Sequence, residues 1–125
     1  MILGIGTDII KVDRLQRSIE KNERFTQKVF TSDEIRYCEA RASKYQSYAA
    51  RFAAKEAVMK AIGTGWDGVI NWTDIEVALD PLGKPGIRCH GATQTFMDEH
   101  RITRIHLSLS HEQEYAIAYV ILEQD

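Results

Sequence analysis

Two acids stand apart from their surroundings in this chain. Asp8 is the single acid in the apolar opening run Met1-Ile2-Leu3-Gly4-Ile5-Gly6-Thr7-Asp8-Ile9-Ile10. Glu56 is the single carboxylate in Arg51-Phe52-Ala53-Ala54-Lys55-Glu56-Ala57-Val58-Met59-Lys60-Ala61, a stretch that also carries the cations Arg51, Lys55 and Lys60. Two carboxylates on different elements are what a magnesium ion takes from a protein when waters and phosphate oxygens complete its shell. Lys60 follows Glu56 by one helical turn and shares its face, so it can reach a phosphate oxygen. Gly63-Thr64-Gly65 comes next. Its backbone N–H groups suit an anion, although such a triplet also serves as a plain helix stop. The set points to metal-assisted chemistry on a phosphate-bearing substrate.

Each residue also has a plainer use. Asp8 could cap a helix beginning near Ile10 or pair with a nearby cation. Glu56 and Lys60 could form a solvated ion pair worth roughly a few tenths of a kcal/mol. Ala49, Ala50, Ala53, Ala54, Ala57 and Ala61 weigh against that second reading. They cover most of the helix circumference, so the helix packs on several sides, where charges need partners. A third cluster is Ser108-Leu109-Ser110-His111-Glu112. Alternation puts Ser108 and Ser110 on one strand face, and His111 opens a turn. A Ser–His nucleophile is disfavoured, because adjacent side chains do not face each other and no third group is evident. Cys38 and Cys89 lack CxxC partners. Cys89 and His90 point to opposite faces of a strand and make a poor metal site. Two unrelated thiols fit a reduced, cytoplasmic protein.

These residues need elements to position them. The chain has 125 residues, enough for one domain spanning 1–125, and is 44% hydrophobic and 27% charged. A formal charge of -2 argues against a dedicated nucleic-acid binder. No run of about 18 apolar residues occurs, so no membrane span is expected. The N-terminal run lacks the basic start of a signal peptide. Residues 2–9 read as a strand buried on both faces. Val12, Leu15 and Ile19 mark a helix over 11–21, and 24–30 reads as a helical turn. Thr31-Ser32-Asp33-Glu34 starts a helix with Ser32 as its cap, running through Arg41. The long helix covers 44–62 and stops at Gly63. Strands at 74–79 and 86–90 flank the turn Asp80-Pro81-Leu82-Gly83-Lys84-Pro85-Gly86. A helix over 92–101 precedes strands at 104–110 and 115–123, joined by residues 111–114. This order predicts an α+β fold, a mainly antiparallel sheet packed against a long central helix and shorter helices. The last strand is apolar on both faces and must be covered twice. The second cover comes either from the chain's own layers or from a partner subunit.

Gly4-Ile5-Gly6-Thr7-Asp8-Ile9 and the stretch from Arg51 to Gly65 resemble the two signatures of the 4′-phosphopantetheinyl transferases. Gly83-Lys84-Pro85 and the late Ser-x-Ser-His segment bring the resemblance close to the bacterial branch that modifies acyl-carrier protein. The resemblance spans essentially the whole chain. It implies transfer of the 4′-phosphopantetheine group from coenzyme A to a serine of apo-acyl-carrier protein, releasing adenosine 3′,5′-bisphosphate in support of fatty acid biosynthesis. It implies Mg²⁺ as cofactor, held by Asp8 and Glu56, with Lys60 beside the phosphates. It places Arg51, Gly63, Gly83, Lys84, Pro85 and His111 along the coenzyme A site. The base for the carrier serine stays open between Glu56 and a metal-bound water. Arg14 and Arg24 resemble basic residues that dock the acidic carrier, with Arg17 and Lys28 nearby. The family's homotrimers, with active sites between subunits, imply the same assembly here, and no nucleic-acid or membrane partner. Leu82 stands where some relatives carry a polar residue. Two other readings share these residues: a different two-carboxylate magnesium phosphodiesterase, and a non-catalytic trimeric nucleotide-binding module.

Overall fold

The computed structural model describes residues 1–63 and 70–125. Strand β1 (Ile2–Lys11) leads into helices α1 (Val12–Lys21), α2 (Glu23–Val29) and α3 (Ser32–Glu39), then the long helix α4 (Lys44–Ile62). A short 3-10 turn at Trp72–Asp74 precedes strands β2 (Ile75–Leu79) and β3 (Pro85–Cys89). Helix α5 (Gly91–Glu99) and strands β4 (Ile102–His111) and β5 (Tyr115–Gln124) complete the order. β5 lies between β1 and β4 in an antiparallel sheet, and β2 and β3 form a separate hairpin. This is the α+β arrangement expected from the element order.

α4 crosses the inner face of the sheet, against β1 and β5. Small residues allow this: Ala53, Ala54, Ala57 and Ala61 of α4 are buried against Ala118, Val120 and Leu122 of β5. A second cluster, with Leu15, Phe30, Tyr48, Ala50 and Ala116, joins α1 to α3 onto the first half of α4. All six alanines flagged in the long helix are buried.

The expectation that β1 is covered on both faces is corrected. Gly6 is buried inward, but Ile5 and Ile9 are 54% and 60% exposed on the opposite face. β5 behaves alike, with Ala116, Ala118, Val120 and Leu122 buried and Ile117 and Tyr119 43% and 48% exposed. Apolar alternation in both strands thus supplies one core face and one outward apolar face within a single chain.

The helix ends follow local chemistry. Thr31, not Ser32, caps α3: its hydroxyl accepts from the Glu34 N–H at 3.2 Å, while Glu34 Oε1 accepts from the Thr31 N–H at 2.9 Å. This reciprocal box uses the residue three before an acid, which places the cap at Thr31. Gly63 ends α4 in the left-handed region at φ 86°, its N–H donating to Met59 O at 3.0 Å. Thr64 and Gly65 of the expected anion-contacting turn lie outside the described residues. In the β2–β3 turn, Asp80 Oδ1 accepts from the N–H groups of Leu82 and Lys84, and Gly83 takes φ 85°.

Candidate active site

Asp8 does not cap α1. That helix begins at Val12, its N-cap is Lys11, and no side chain caps it. Asp8 instead sits mid-strand, paired with Ala118 of β5. Its Oδ1 accepts from Lys60 Nζ at 2.9 Å, and Lys60 also donates to Thr7 O at 3.2 Å. Lys60 therefore answers the acid on the neighbouring strand as well as the field of Glu56 one turn before it. The Asp8 side chain is only 11% exposed, and its Oδ2 is buried without a hydrogen-bond partner among the described residues. An orphaned carboxylate oxygen is costly, and a cation is what it needs.

Glu56 lines the same cavity as Asp8. Burial raises its carboxyl above the ordinary value, the charge of Asp8 raises it further, and Lys60 pulls the other way. The two carboxylates therefore share one electrostatic site, with the Lys60 ammonium bonded to Asp8 and its charge felt by Glu56. Two hard carboxylate oxygen donors, one of them orphaned, fit a hard divalent ion such as Mg²⁺. The cavity is about 420 Å³. Ile10, Leu15, Phe25 and Phe52 give it an apolar wall, and Lys11, Arg14 and Ser18 add polar groups. Arg14 is thus part of the acid-pair cavity, while Arg24 is exposed at the first turn of α2.

The remaining candidates lie elsewhere in the single chain. Arg51 is five residues before Glu56, roughly 140° around the helix. It is buried, its guanidinium lies 4.0 Å from the Tyr37 ring centroid, and its Nη1 donates to Ser47 O at 3.3 Å. Its Nε has no hydrogen-bond partner among the described residues. Arg51 and Arg88 line a second cavity of about 290 Å³. Lys84 and Pro85 line a third, about 270 Å³, which shares Ala78, Leu79 and Arg88 with the second. Arg51 and the hairpin turn therefore form one neighbourhood, and Asp8, Glu56, Lys60 and Arg14 form another. His111 closes β4 rather than opening the turn, and its Nδ1 lies 2.9 Å from Gln46 Oε1 on α4.

A buried polar network was missed in the sequence. Lys55, wholly enclosed, pairs with Glu34 Oε1 at 2.8 Å and donates to Trp72 O at 3.0 Å and to Ile75 O. Glu34 Oε2 accepts from the Val77 N–H at 2.9 Å. Thr31 donates its hydroxyl to Glu76 Oε2 at 2.7 Å, and His90 Nε2 contacts Glu76 Oε1 at 2.9 Å. The Thr31-x-x-Glu34 spacing was the readable signal for half of it. Lys55 and Glu34 are 21 residues apart on different helices, and no local pattern reveals that pairing. Of the three cations around Glu56, only Lys60 touches the acid pair.

The profile of the 4′-phosphopantetheinyl transferase superfamily matches residues 4–120. The chain is 53% identical over 124 residues to a holo-[acyl-carrier-protein] synthase of Ruminiclostridium cellulolyticum, covering 98% of this chain and 92% of that one. Its fold matches the crystal structure of the Neisseria meningitidis holo-[acyl-carrier-protein] synthase with TM-score 0.91 and 36% identity, over 99% and 100% of the two chains. The Bacillus anthracis synthase crystallised with CoA (3′,5′-ADP) matches with TM-score 0.82 and 36% identity, over 100% and 99%. The chain belongs to the 4′-phosphopantetheinyl transferase superfamily.

Proposed function

We propose that the chain is a holo-[acyl-carrier-protein] synthase. It transfers the 4′-phosphopantetheine group of coenzyme A to a serine hydroxyl of apo-acyl-carrier protein, yielding holo-carrier and adenosine 3′,5′-bisphosphate. The observation that carries this reading is the meeting of Asp8 and Glu56 at one cavity, with Lys60 bonded to Asp8 and an Asp8 oxygen that has no hydrogen-bond partner among the described residues. In the transfer, the serine oxygen attacks the phosphorus that bears the pantetheine arm. The bond from that phosphorus to the bridging oxygen breaks, and the serine proton leaves to a base.

Asp8 and Glu56 are the residues that hold Mg²⁺, which supplies positive charge against the pyrophosphate. Lys60 balances Asp8 and presents its half-exposed ammonium to phosphate oxygens. Glu56, with basicity raised by burial and by Asp8, suits proton acceptance directly or through a water. Arg51, Gly63, Gly83, Lys84, Pro85 and His111 bind the nucleotide portion, and Arg14 and Arg24 dock the carrier. That these groups occupy separate neighbourhoods in one chain supports a site completed between subunits. The outward Ile5, Ile9, Ile117 and Tyr119 supply the apolar surface for such contact, in a homotrimer. Among the described residues no helix is long and apolar enough to cross a membrane, and the thiols Cys38 and Cys89 are free, in keeping with cytoplasmic fatty acid biosynthesis.

The test is incubation with coenzyme A and apo-acyl-carrier protein, read by intact mass of the carrier. Gain of one phosphopantetheine, abolished by a chelator and restored by Mg²⁺, supports the reading. An unmodified carrier with coenzyme A hydrolysed favours a phosphodiesterase instead. Light scattering at working concentration checks the trimer.

A further inference from the structure

Beside the acid pair, β1 and α4 touch backbone to backbone. Gly4, Gly6 and Asp8 share the inward face of β1. A Cβ on Gly6 would fall 1.9 Å from Ala57 O and 2.9 Å from the Ala61 nitrogen, and one on Gly4 would fall 2.1 Å from Ala61 O. No side chain spaces the strand from the helix there. Two strand residues advance about 6.7 Å and four helical residues about 6 Å. Gly4 therefore rests on Ala61 and Gly6 on Ala57, with the two elements running in opposite directions. Asp8 is the next inward residue, one step further toward the start of α4. Helical side chains lean toward the N-terminus, so Lys60 reaches back to Asp8, as its 2.9 Å contact records. Glu56 immediately precedes Ala57 and lines the same cavity as Asp8.

We propose that Gly4 and Gly6 are positioning residues for the acid pair: their contact with Ala57 and Ala61 fixes the separation of Asp8 and Glu56 and thereby favours a small divalent cation over a larger one. This rests on the reading of the two acids as the ion's ligands. A methyl at Gly6 must retreat from 1.9 Å to an ordinary contact of 3.4 Å or more. That lifts the strand by about 1.5 Å beside a site where Mg²⁺ needs oxygens at about 2.0–2.1 Å in near-octahedral order. Ca²⁺ accepts about 2.3–2.6 Å and irregular shells, so the lift harms the smaller ion first. The buried, unpartnered Asp8 Oδ2 is the atom whose aim changes.

The test measures binding of Mn²⁺, by electron paramagnetic resonance, and of Ca²⁺, by calorimetry, to the full chain and to Gly6→Ala and Gly4→Ala. Circular dichroism and melting without metal establish that each variant is folded. Mn²⁺ affinity is expected to fall about tenfold or more in Gly6→Ala, in the range seen when a supporting shell is disturbed, and less in Gly4→Ala. Ca²⁺ affinity is expected to change much less, whereas simple loosening of the fold would weaken both ions alike. A folded Gly6→Ala that binds Mn²⁺ like the parent, or loses both ions equally, overturns the proposal. Gly4 adjoins the register shift between Ile2 and Gly4, where the strand has more freedom, so Gly4→Ala decides the matter on the same criteria if Gly6→Ala does not fold. A parent chain that binds neither ion overturns the ligand assignment itself, and the positioning role with it.

Discussion

Replacing Lys55 by methionine should destabilise the fold severely without removing a group from the acid-pair cavity. Lys55 and Glu34 are wholly enclosed and lie 2.8 Å apart. Burial lowers the Lys55 pKa, and the charge and hydrogen bond of Glu34 work against that fall. Methionine fills the stem volume but leaves the Glu34 carboxylate, among the described residues, with only the N–H groups of Thr31 and Val77. It also removes the ammonium from Ile75 O and from Trp72 O, which keeps the Ile75 N–H. Removing one partner of a buried pair costs about 3–5 kcal/mol, a large share of the roughly 5–15 kcal/mol holding such a domain. At about 4 °C per kcal/mol for a chain of this length, melting should fall by about 10–20 °C. The check is calorimetric melting at fixed protein concentration, because assembly would otherwise shift the midpoint. Lys55→Met with Glu34→Gln should be less destabilised than the sum of the single variants, since glutamine removes the stranded charge. It should not recover fully, because a glutamine offers one acceptor oxygen where Thr31 and Val77 need two. A single variant melting within about 3 °C of the parent, or strictly additive losses, would refute this account.

Glu56→Gln should abolish most carrier modification and Mn²⁺ binding while melting changes little, since shape is kept and charge is lost; a normal transfer rate at saturating Mg²⁺ contradicts the ligand role. Arg14→Glu should raise the KM for an acidic carrier more than that for coenzyme A, and more strongly at low salt; equal rises contradict docking at α1. For Glu76, burial opposes ionisation, but hydrogen bonds from Thr31 and His90 and the charges of His90 and Arg88 outweigh it, so its carboxyl lies below the ordinary value. Its stabilising contribution is complete above that ordinary value of 4.5 and is lost as pH falls through the lower folded one. Denaturation in urea should therefore show Glu76→Gln narrowing the stability gap to the parent as pH falls below about 5, and a gap independent of pH would contradict the assignment.

Local rules read most of this fold. The 44–62 helix was legible because alanines and long side chains favour it and Gly63 ends it. Continuous apolar runs revealed β1 and β5 but could not say which face of either a single chain covers. That depends on where α4 docks, which no local window contains. Asp8 and Glu56 were legible as unusual acids, yet their meeting depends on the strand crossing the helix at Gly6 and Ala57. Helical spacing offers Glu56 as a partner for Lys60, whereas the 2.9 Å bond goes to Asp8 on another element, the pairing with a nearby cation that Asp8 also allowed. Least legible was the Lys55–Glu34 pair, because both ends are buried charges on different helices with no shared pattern.

β1 links the proposed ion site to the proposed subunit contact, which would otherwise be independent. Its inward residues Gly4, Gly6 and Asp8 set the acid pair against α4, while its outward residues Ile5 and Ile9 lie on the exposed apolar face beside Ile117 and Tyr119. A strand cannot shift one face without carrying the other, because successive side chains share one rigid pleat. β5 braces β1 from one edge only, and β1 has no further strand on its free edge in the described chain. Pressure from a neighbouring subunit on Ile5 and Ile9 would therefore push β1 toward α4, the direction that seats Gly6 on Ala57. Assembly and ion binding should accordingly reinforce each other, so that a charged residue at Ile5 lowers Mn²⁺ affinity while touching no ligand. If the chain assembles as proposed, dilution of the parent should lower the same affinity. An affinity unchanged across the concentration at which light scattering shows the subunits parting would break this link, leaving the acid pair and the apolar face as separate features of one strand.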